Sequence, residues 1–262
     1  MIIDFHTHAF KDNLAVKAIP NLQKTCGIQA KGDGTLGCLK KAMREQGVDK
    51  AVVLNIAVTP HAVRSVNDWA LEINGTDGVA AFGSVHPDFG DIPGELARIK
   101  AGGIKGVKLH PCYQEFFVEE ERAFPMYEAL EESGLFVTFH AGYDPLTPSI
   151  NYASVKGFAK VRKRFPNMRM ILAHMGGMNE FKEARELLWG QDLYIDTALA
   201  EGGISRELLL ELIEKHGADK VLLGSDYPWH NPSQEIGYIR SLGLCKDAEE
   251  RILGGNALRI FE

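Results

Sequence analysis

Apolar residues gather along this chain in short runs rich in Val, Ile, Leu and Phe, separated by longer stretches in which apolar positions recur every third or fourth residue. The short runs lie at 2–6, 50–56, 79–85, 104–109, 135–140, 168–173, 193–197 and 220–225, and each is nearly continuous rather than alternating. A strand covered on both faces has that pattern, whereas a strand with one wet face alternates. The segments 36–46, 60–75, 92–101, 121–133, 152–164, 179–189, 205–216 and 232–242 carry the helical spacing. Pro60 and Pro232 suit a first helical turn, and Gly47, Gly134 and Gly217 follow helical segments where a left-handed cap is favoured.

Strands alternating with helices in this way predict an α/β fold, a single (β/α)8 TIM-type barrel over 1–262. No Gly-x-Gly-x-x-Gly turn follows the first strand, which counts against a doubly wound open sheet. No repeat, low-complexity tract or linker divides the chain. The first strand-to-helix connection, 9–35, is long and holds Gly27, Gly32 and Gly34. It is expected to be a loop, a candidate lid or substrate wall.

In such a barrel the C-terminal strand ends meet on one face, where active sites are built. His6 and His8 close the first run, His110 the fourth, His140 the fifth and His174 the sixth; His86 lies just past the third, and Asp226 follows the eighth. Side chains two apart on a strand share a face, so His6 and His8 can aim two imidazoles at one point. His6, His8, His140 and Asp226 form the expected ligand set. Three imidazoles and a carboxylate suit zinc or another borderline divalent ion with one position open for water. Metal binding brings the pKa of that water toward neutrality, and Asp226 is placed to accept its proton as well as to ligate. His174, beside them, is free to act as a general acid/base or to polarise a substrate carbonyl. Lys108 and His110, of one strand parity, and Tyr227 are the expected substrate-binding side chains, the lysine as a cation for a carboxylate. Asp196, inside the seventh run, is the expected buried partner of a ligand histidine, and Asp4 is expected to face the same way as His6 and His8.

Apolar residues make up 45% of the chain and charged residues 24%, an ordinary globular balance. A net charge of −6 supplies no basic field for nucleic acid or an anionic membrane. No run approaches the ~20 apolar residues of a membrane span. The chain opens directly on a strand rather than on a basic, then apolar leader, which predicts a cytoplasmic protein. Cys26, Cys38, Cys112 and Cys245 are scattered with no Cys-x-x-Cys pair, and are expected to be reduced thiols.

Six segments, taken in order, carry a resemblance: Asp4-Phe5-His6-Thr7-His8, Gly106-Val107-Lys108-Leu109-His110-Pro111, Phe139-His140-Ala141-Gly142, Ala173-His174-Met175-Gly176-Gly177, Gly224-Ser225-Asp226-Tyr227-Pro228 and Gly255-Asn256-Ala257-Leu258-Arg259-Ile260-Phe261. Together they resemble the amidohydrolase superfamily, and within it the amidohydrolase-2 group that includes aminocarboxymuconate-semialdehyde decarboxylase. The resemblance implies a metal-dependent barrel with the metal on His6, His8, His140 and Asp226, and His174 working beside it. It implies one divalent ion, Zn2+ first, with Mn2+ or Fe2+ as alternatives. Some superfamily members carbamylate a strand-4 lysine to bridge two metals, and Lys108 stands near that place; in this group the site is usually mononuclear.

The leading expectation is a metal-dependent hydrolase that turns activated water on an amide, ester or lactone of a small carboxylated substrate. The alternative is a non-oxidative decarboxylase, a lyase acting on a small unsaturated or aromatic acid at the same site. A small-molecule substrate is expected, with no nucleic-acid or membrane partner, and the resemblance permits a homodimer. A histidinol-phosphatase-type phosphoesterase also opens on His-x-His, but it closes on Asp-x-His, which Asp226-Tyr227-Pro228 interrupts. A non-catalytic metal-binding scaffold is disfavoured by the full complement of ligands with His174.

Overall fold

A computed structural model describes residues 1–262. Its strands are β1 (Ile3–Thr7), β2 (Lys50–Leu54), β3 (Val79–Phe82), β4 (Gly106–Leu109), β5 (Phe136–Phe139), β6 (Arg169–Leu172), β7 (Tyr194–Asp196) and β8 (Val221–Leu222). The α-helices are α1 (Asp12–Cys26), α2 (Leu36–Gln46), α3 (Val63–Ile73), α4 (Ile92–Ala101), α5 (Pro111–Gln114), α6 (Phe124–Ser133), α7 (Val155–Arg164), α8 (Phe181–Leu187), α9 (Arg206–His216), α10 (Pro232–Ser241), α11 (Lys246–Glu250) and α12 (Asn256–Phe261). All strand pairs are parallel, in the orders β1-β2-β3 and β4-β5-β6-β7-β8. Backbone hydrogen bonds join the two groups at both ends. Gly83 N–H donates to Gly106 O and Lys108 N–H to Gly83 O, while Phe5 N–H donates to Leu223 O and Asp226 N–H to His6 O. The sheet is a closed barrel.

The near-continuous apolar runs divide by parity. One side of each strand packs with the helices in a large shell that includes Val53, Ala81, Val107, Val137 and Leu172. The other fills the barrel with Phe5, Leu54, Phe82, Phe136, Ile171 and Leu222. Ala257 and Ile260 of α12 join this inner cluster, and the Phe261 ring lies 6.2 Å from that of Phe5, so the C-terminal helix stoppers the end opposite the histidines. Gly106 occupies an inward position where a Cβ would run into the Phe82 ring and stand 2.7 Å from Phe136 O. Only glycine fits there, and the two positions that follow on the same parity are Lys108 and His110.

Three parts of the chain differ from expectation. Connection 9–35 is not all loop: residues 12–26 form α1, capped by Gly27 at φ 71°. The glycines that signalled a loop all lie beyond its end, and Pro20 is carried inside the helix. Residues 246–261 are largely helical, in segments too short for a period to be read from sequence. His174 stands not at the end of a strand but in a single 3-10 turn, at φ 55°. Asp226 likewise has φ 66°. Left-handed backbone at residues other than glycine costs of order 1–3 kcal/mol and concentrates where function demands it.

Candidate metal centre and active-site cavity

The register of β1 against β2 slips by one between Asp4↔Ala51 and Thr7↔Val53. That extra residue breaks simple alternation. Phe5 and His6 both turn inward, and Asp4 does not share the face of His6 and His8, contrary to expectation. Its carboxylate instead accepts from Ser225 N–H at 2.9 Å and Ser225 Oγ–H, and from His6 N–H at 3.2 Å, tying β1 to the segment after β8. Burial pushes the Asp4 carboxyl up to about 7, against those hydrogen bonds. The imidazole partner is Asp196, whose Oδ2 lies 2.8 Å from His6 Nδ1 while its Oδ1 accepts from His174 N–H.

Those outer contacts decide the tautomers. A carboxylate at His6 Nδ1 and the Leu54 carbonyl 3.0 Å from His8 Nδ1 both require a donor there. In the neutral rings the two Nε2 atoms are then bare, yet they stand 3.2 Å apart, with Asp226 Oδ1 at 3.4 and 3.2 Å from them. Burial, with the Lys108 ammonium next in effect, holds His6 well below the ordinary imidazole range, so it is neutral. Burial alone would raise Asp226, but the His6 and His8 imidazoles outweigh it and leave the carboxyl at about 2. With the ring protons kept on the two Nδ1 atoms, two Nε2 lone pairs and one Asp226 oxygen converge on one point. Ligands about 2.1 Å from a shared ion stand roughly 3.0–3.4 Å apart at octahedral to tetrahedral angles, so the donor set fits a divalent cation.

His140, the fourth expected ligand, is not in this group, whose ligand atoms all lie within 4.8 Å of one another. Its Nε2 lies 3.2 Å from Tyr143 O and its Nδ1 faces His174 Nε2 at 3.1 Å. His174 Nδ1 is in turn 3.1 Å from Ala198 O. Both outer nitrogens face carbonyls, so the inner pair has room for one shared proton. Burial and the neighbouring His174 push His140 well below the usual range.

His140 instead belongs to a second buried group with His110 and Asp144. Asp144 Oδ2 is 3.6 Å from His110 Nε2 and 3.8 Å from His140 Nε2. The two rings stack at 4.2 Å, 13° from parallel, so their in-plane lone pairs run side by side instead of meeting. This group is not a second convergent donor set. Asp144 was not anticipated, because the sequence marks it only by its place four residues after His140 in a segment without periodicity.

Lys108 is fully buried, forms no ion pair, and has only His6 Nε2 within reach, at 3.5 Å. Burial lowers it to about 8, although Asp196, Asp226 and Asp144 pull the other way. His110 keeps Nδ1 buried without a partner. Tyr227 departs from expectation: its ring is not in the cavity lining, and its hydroxyl shares a 3.2 Å hydrogen bond with Cys38 Sγ. Tyr227 instead lies over Gly32, where any Cβ would collide with its hydroxyl, and so pins the end of connection 9–35.

These groups share one cavity of about 670 Å3, which holds His6, His8, Lys108, His110, His140, His174 and Asp226 at its base. A family model described as "Amidohydrolase" matches residues 3–262. The chain belongs to the amidohydrolase family. Among solved structures, this amidohydrolase is similar to 5-carboxyvanillate decarboxylase LigW from Sphingomonas paucimobilis, with 18% identity, a TM-score of 0.73 and coverage of 99% of this chain and 98% of that one. It is similar to a dihydroxybenzoic acid decarboxylase from Polaromonas sp. JS666 with bound manganese and the inhibitor 2-nitroresorcinol, at 15% identity, TM-score 0.71 and coverage of 99% and 96%. A putative 2-pyrone-4,6-dicarboxylic acid hydrolase from Pseudomonas putida is also similar, at 17% identity, TM-score 0.70 and coverage of 99% and 97%. At these identities the likeness carries the fold, which is the barrel expected. No helix is long and apolar enough to cross a membrane.

Proposed function

We propose that this amidohydrolase is a metal-dependent, non-oxidative decarboxylase of a small aromatic acid. The observation that carries the reading is Lys108, a buried ammonium without a protein counterion beside the convergent donors. An ammonium so placed calls for an anion that arrives with the substrate. The decarboxylases among the similar structures support an aromatic carboxylate as that anion. Hydrolysis, the leading expectation from sequence, becomes the second reading; the same donors serve it, and the putative 2-pyrone-4,6-dicarboxylic acid hydrolase keeps it in view.

His6, His8 and Asp226 would hold the metal, with His140 the fourth ligand and its bare Nδ1 the donor. The ion is one divalent cation, Mn2+ or Zn2+; when bound it supplies Lewis acidity toward the acid's oxygens. Lys108 holds the substrate carboxylate, and the unpartnered His110 Nδ1 takes a ring substituent by hydrogen bond. The buried base of the cavity, where Lys108, His6 and His174 are almost wholly out of solvent, favours loss of the charged carboxylate as neutral CO2. The electron pair left on the ring carbon takes a proton held at His174 Nε2, whose Nδ1 stays on Ala198 O, so that Ar–COO− and H+ become Ar–H and CO2. Asp196 orients both His6 and the His174 backbone.

The test is product analysis of the Mn2+- or Zn2+-loaded protein with a panel of hydroxybenzoates and 2-pyrone carboxylates in D2O. CO2 release with one deuterium at the carbon that lost the carboxyl is the expected result. Ring opening with every carboxylate retained would overturn it in favour of hydrolysis.

A further inference from the structure

The cavity is larger than the proposed substrate needs. A dihydroxybenzoate has about eleven non-hydrogen atoms, whereas a cavity of about 670 Å3 is in the middle of the roughly 300–1,000 Å3 range of sites that take much larger, drug-sized ligands. Much of the apolar lining comes from α1 and α3. Leu14, Ala18 and Leu22 present one helical stripe of α1 to the cavity, and Val66 and Trp69 of α3 line it too. The neighbouring stripe of α1, Ala15 and Ile19, is buried and bolts the helix down. The cavity-facing stripe is incompletely covered by protein: Leu14 is 51% exposed. Lys11, at the start of α1, is the one charged side chain that this helix and its N-cap bring to the lining. The cations and carboxylates that read a polar acid are otherwise confined to the base.

We propose that the substrate carries an apolar extension, an alkyl chain or a second ring, which lies between α1 and α3 while its carboxylate is held at Lys108. The inference rests on the decarboxylase reading for the reacting end, and on the cavity alone for the extension. Each methylene moved from water onto such a wall strengthens binding about fourfold. The α1 stripe is therefore a selectivity element: it favours extended acids over bare rings.

Hydroxybenzoates bearing unbranched chains from methyl to heptyl, at each free ring position, test this with the metal-loaded protein. Two readouts are taken: CO2 release for kcat/KM, and isothermal titration for binding. At one ring position kcat/KM and affinity are expected to rise several-fold per methylene until the cavity is full. Ala18→Phe, which fills the space from a half-buried position, is expected to remove that gain and reduce the ratio of long-chain to short-chain kcat/KM at least tenfold. Leu22→Ser is expected to reduce it less. Values that stay flat or fall with chain length at every position, alongside CO2 release, overturn the extension and leave the decarboxylase reading standing. Binding that tightens with length and is lost in Ala18→Phe, with no CO2 from any acid, upholds the extension and overturns decarboxylation. No binding by any member overturns both.

Discussion

At the scale of single residues, the site is organised by what occupies the outer nitrogen of each imidazole. Asp196 and Leu54 O hold protons on the Nδ1 atoms of His6 and His8, and so expose two lone pairs beside an ionised Asp226. Asp226→Asn keeps the size and removes the charge; it is expected to lower metal affinity at least tenfold and to abolish turnover, as read by metal content after dialysis together with kcat. His174→Asn is expected to keep the metal and lose about 10²- to 10⁴-fold in kcat, the range for a general acid/base. Equal metal loss in the two variants would make His174 a ligand and defeat its assignment as proton carrier. His6, His8, His174 and Asp226 were legible because their residue types stand at the ends of apolar runs. Asp144 was not, and the outward turn of Tyr227 was not either, since both depend on how an aperiodic segment folds back over the strand ends.

At the scale of elements, helices are fastened to strands by a few buried polar groups as well as by apolar packing. His216, the last residue of α9, accepts Gly190 N–H at Nδ1 (3.0 Å) and lies 3.0 Å from Leu193 O at Nε2, just before β7. Burial pushes it down to about 4, against that carbonyl, from an unfolded value near 6.5. Above about pH 6.5 it is neutral in both states and its contribution is whole. From there down to about 4 the unfolded chain takes up a proton that the folded one refuses, so stability falls, by about 3 kcal/mol in all, and falls no further below. Urea unfolding of His216→Gln across that window is expected to show a shallower decline than the parent. Parallel profiles would mean the histidine is not held neutral. Helix α1 belongs to the same scale. Its apolar positions 14, 15, 18, 19 and 22 follow a helical spacing, which Pro20 and the glycines further along connection 9–35 mask in the sequence.

Over the whole molecule, the convergent donors straddle the seam at which the barrel closes. His6 and His8 come from β1 and Asp226 from beyond β8, and the seam is bonded by Phe5 N–H to Leu223 O and Asp226 N–H to His6 O. An ion bound there would join the two ends of the sheet and relieve the opposition of bare lone pairs and a carboxylate. At a free-metal concentration of about 100 times Kd the linkage stabilises by ~2.7 kcal/mol. In a domain of this size that is about 5–10 °C in Tm. Chelation is expected to lower Tm by that amount and added Mn2+ or Zn2+ to restore it, by differential scanning fluorimetry; a Tm indifferent to metal would refute a cation at the seam.

By itself the sequence determined the number and parallel sense of the strands, since only strands covered on both faces are apolar throughout. It also determined which end of the barrel gathers His6, His8, His110, His140, His174 and Asp226, since they stand after the apolar runs and not before them. The tertiary structure alone decided how those residues group. The one-residue slip in β1 separates Asp4 from the face of His6, a stacked pair draws His140 toward Asp144, and α1 closes over the apolar side of the cavity. Each of these is a distance between residues far apart in the chain, set by closure of the sheet and the return of its loops. Local spacing carries no record of such distances.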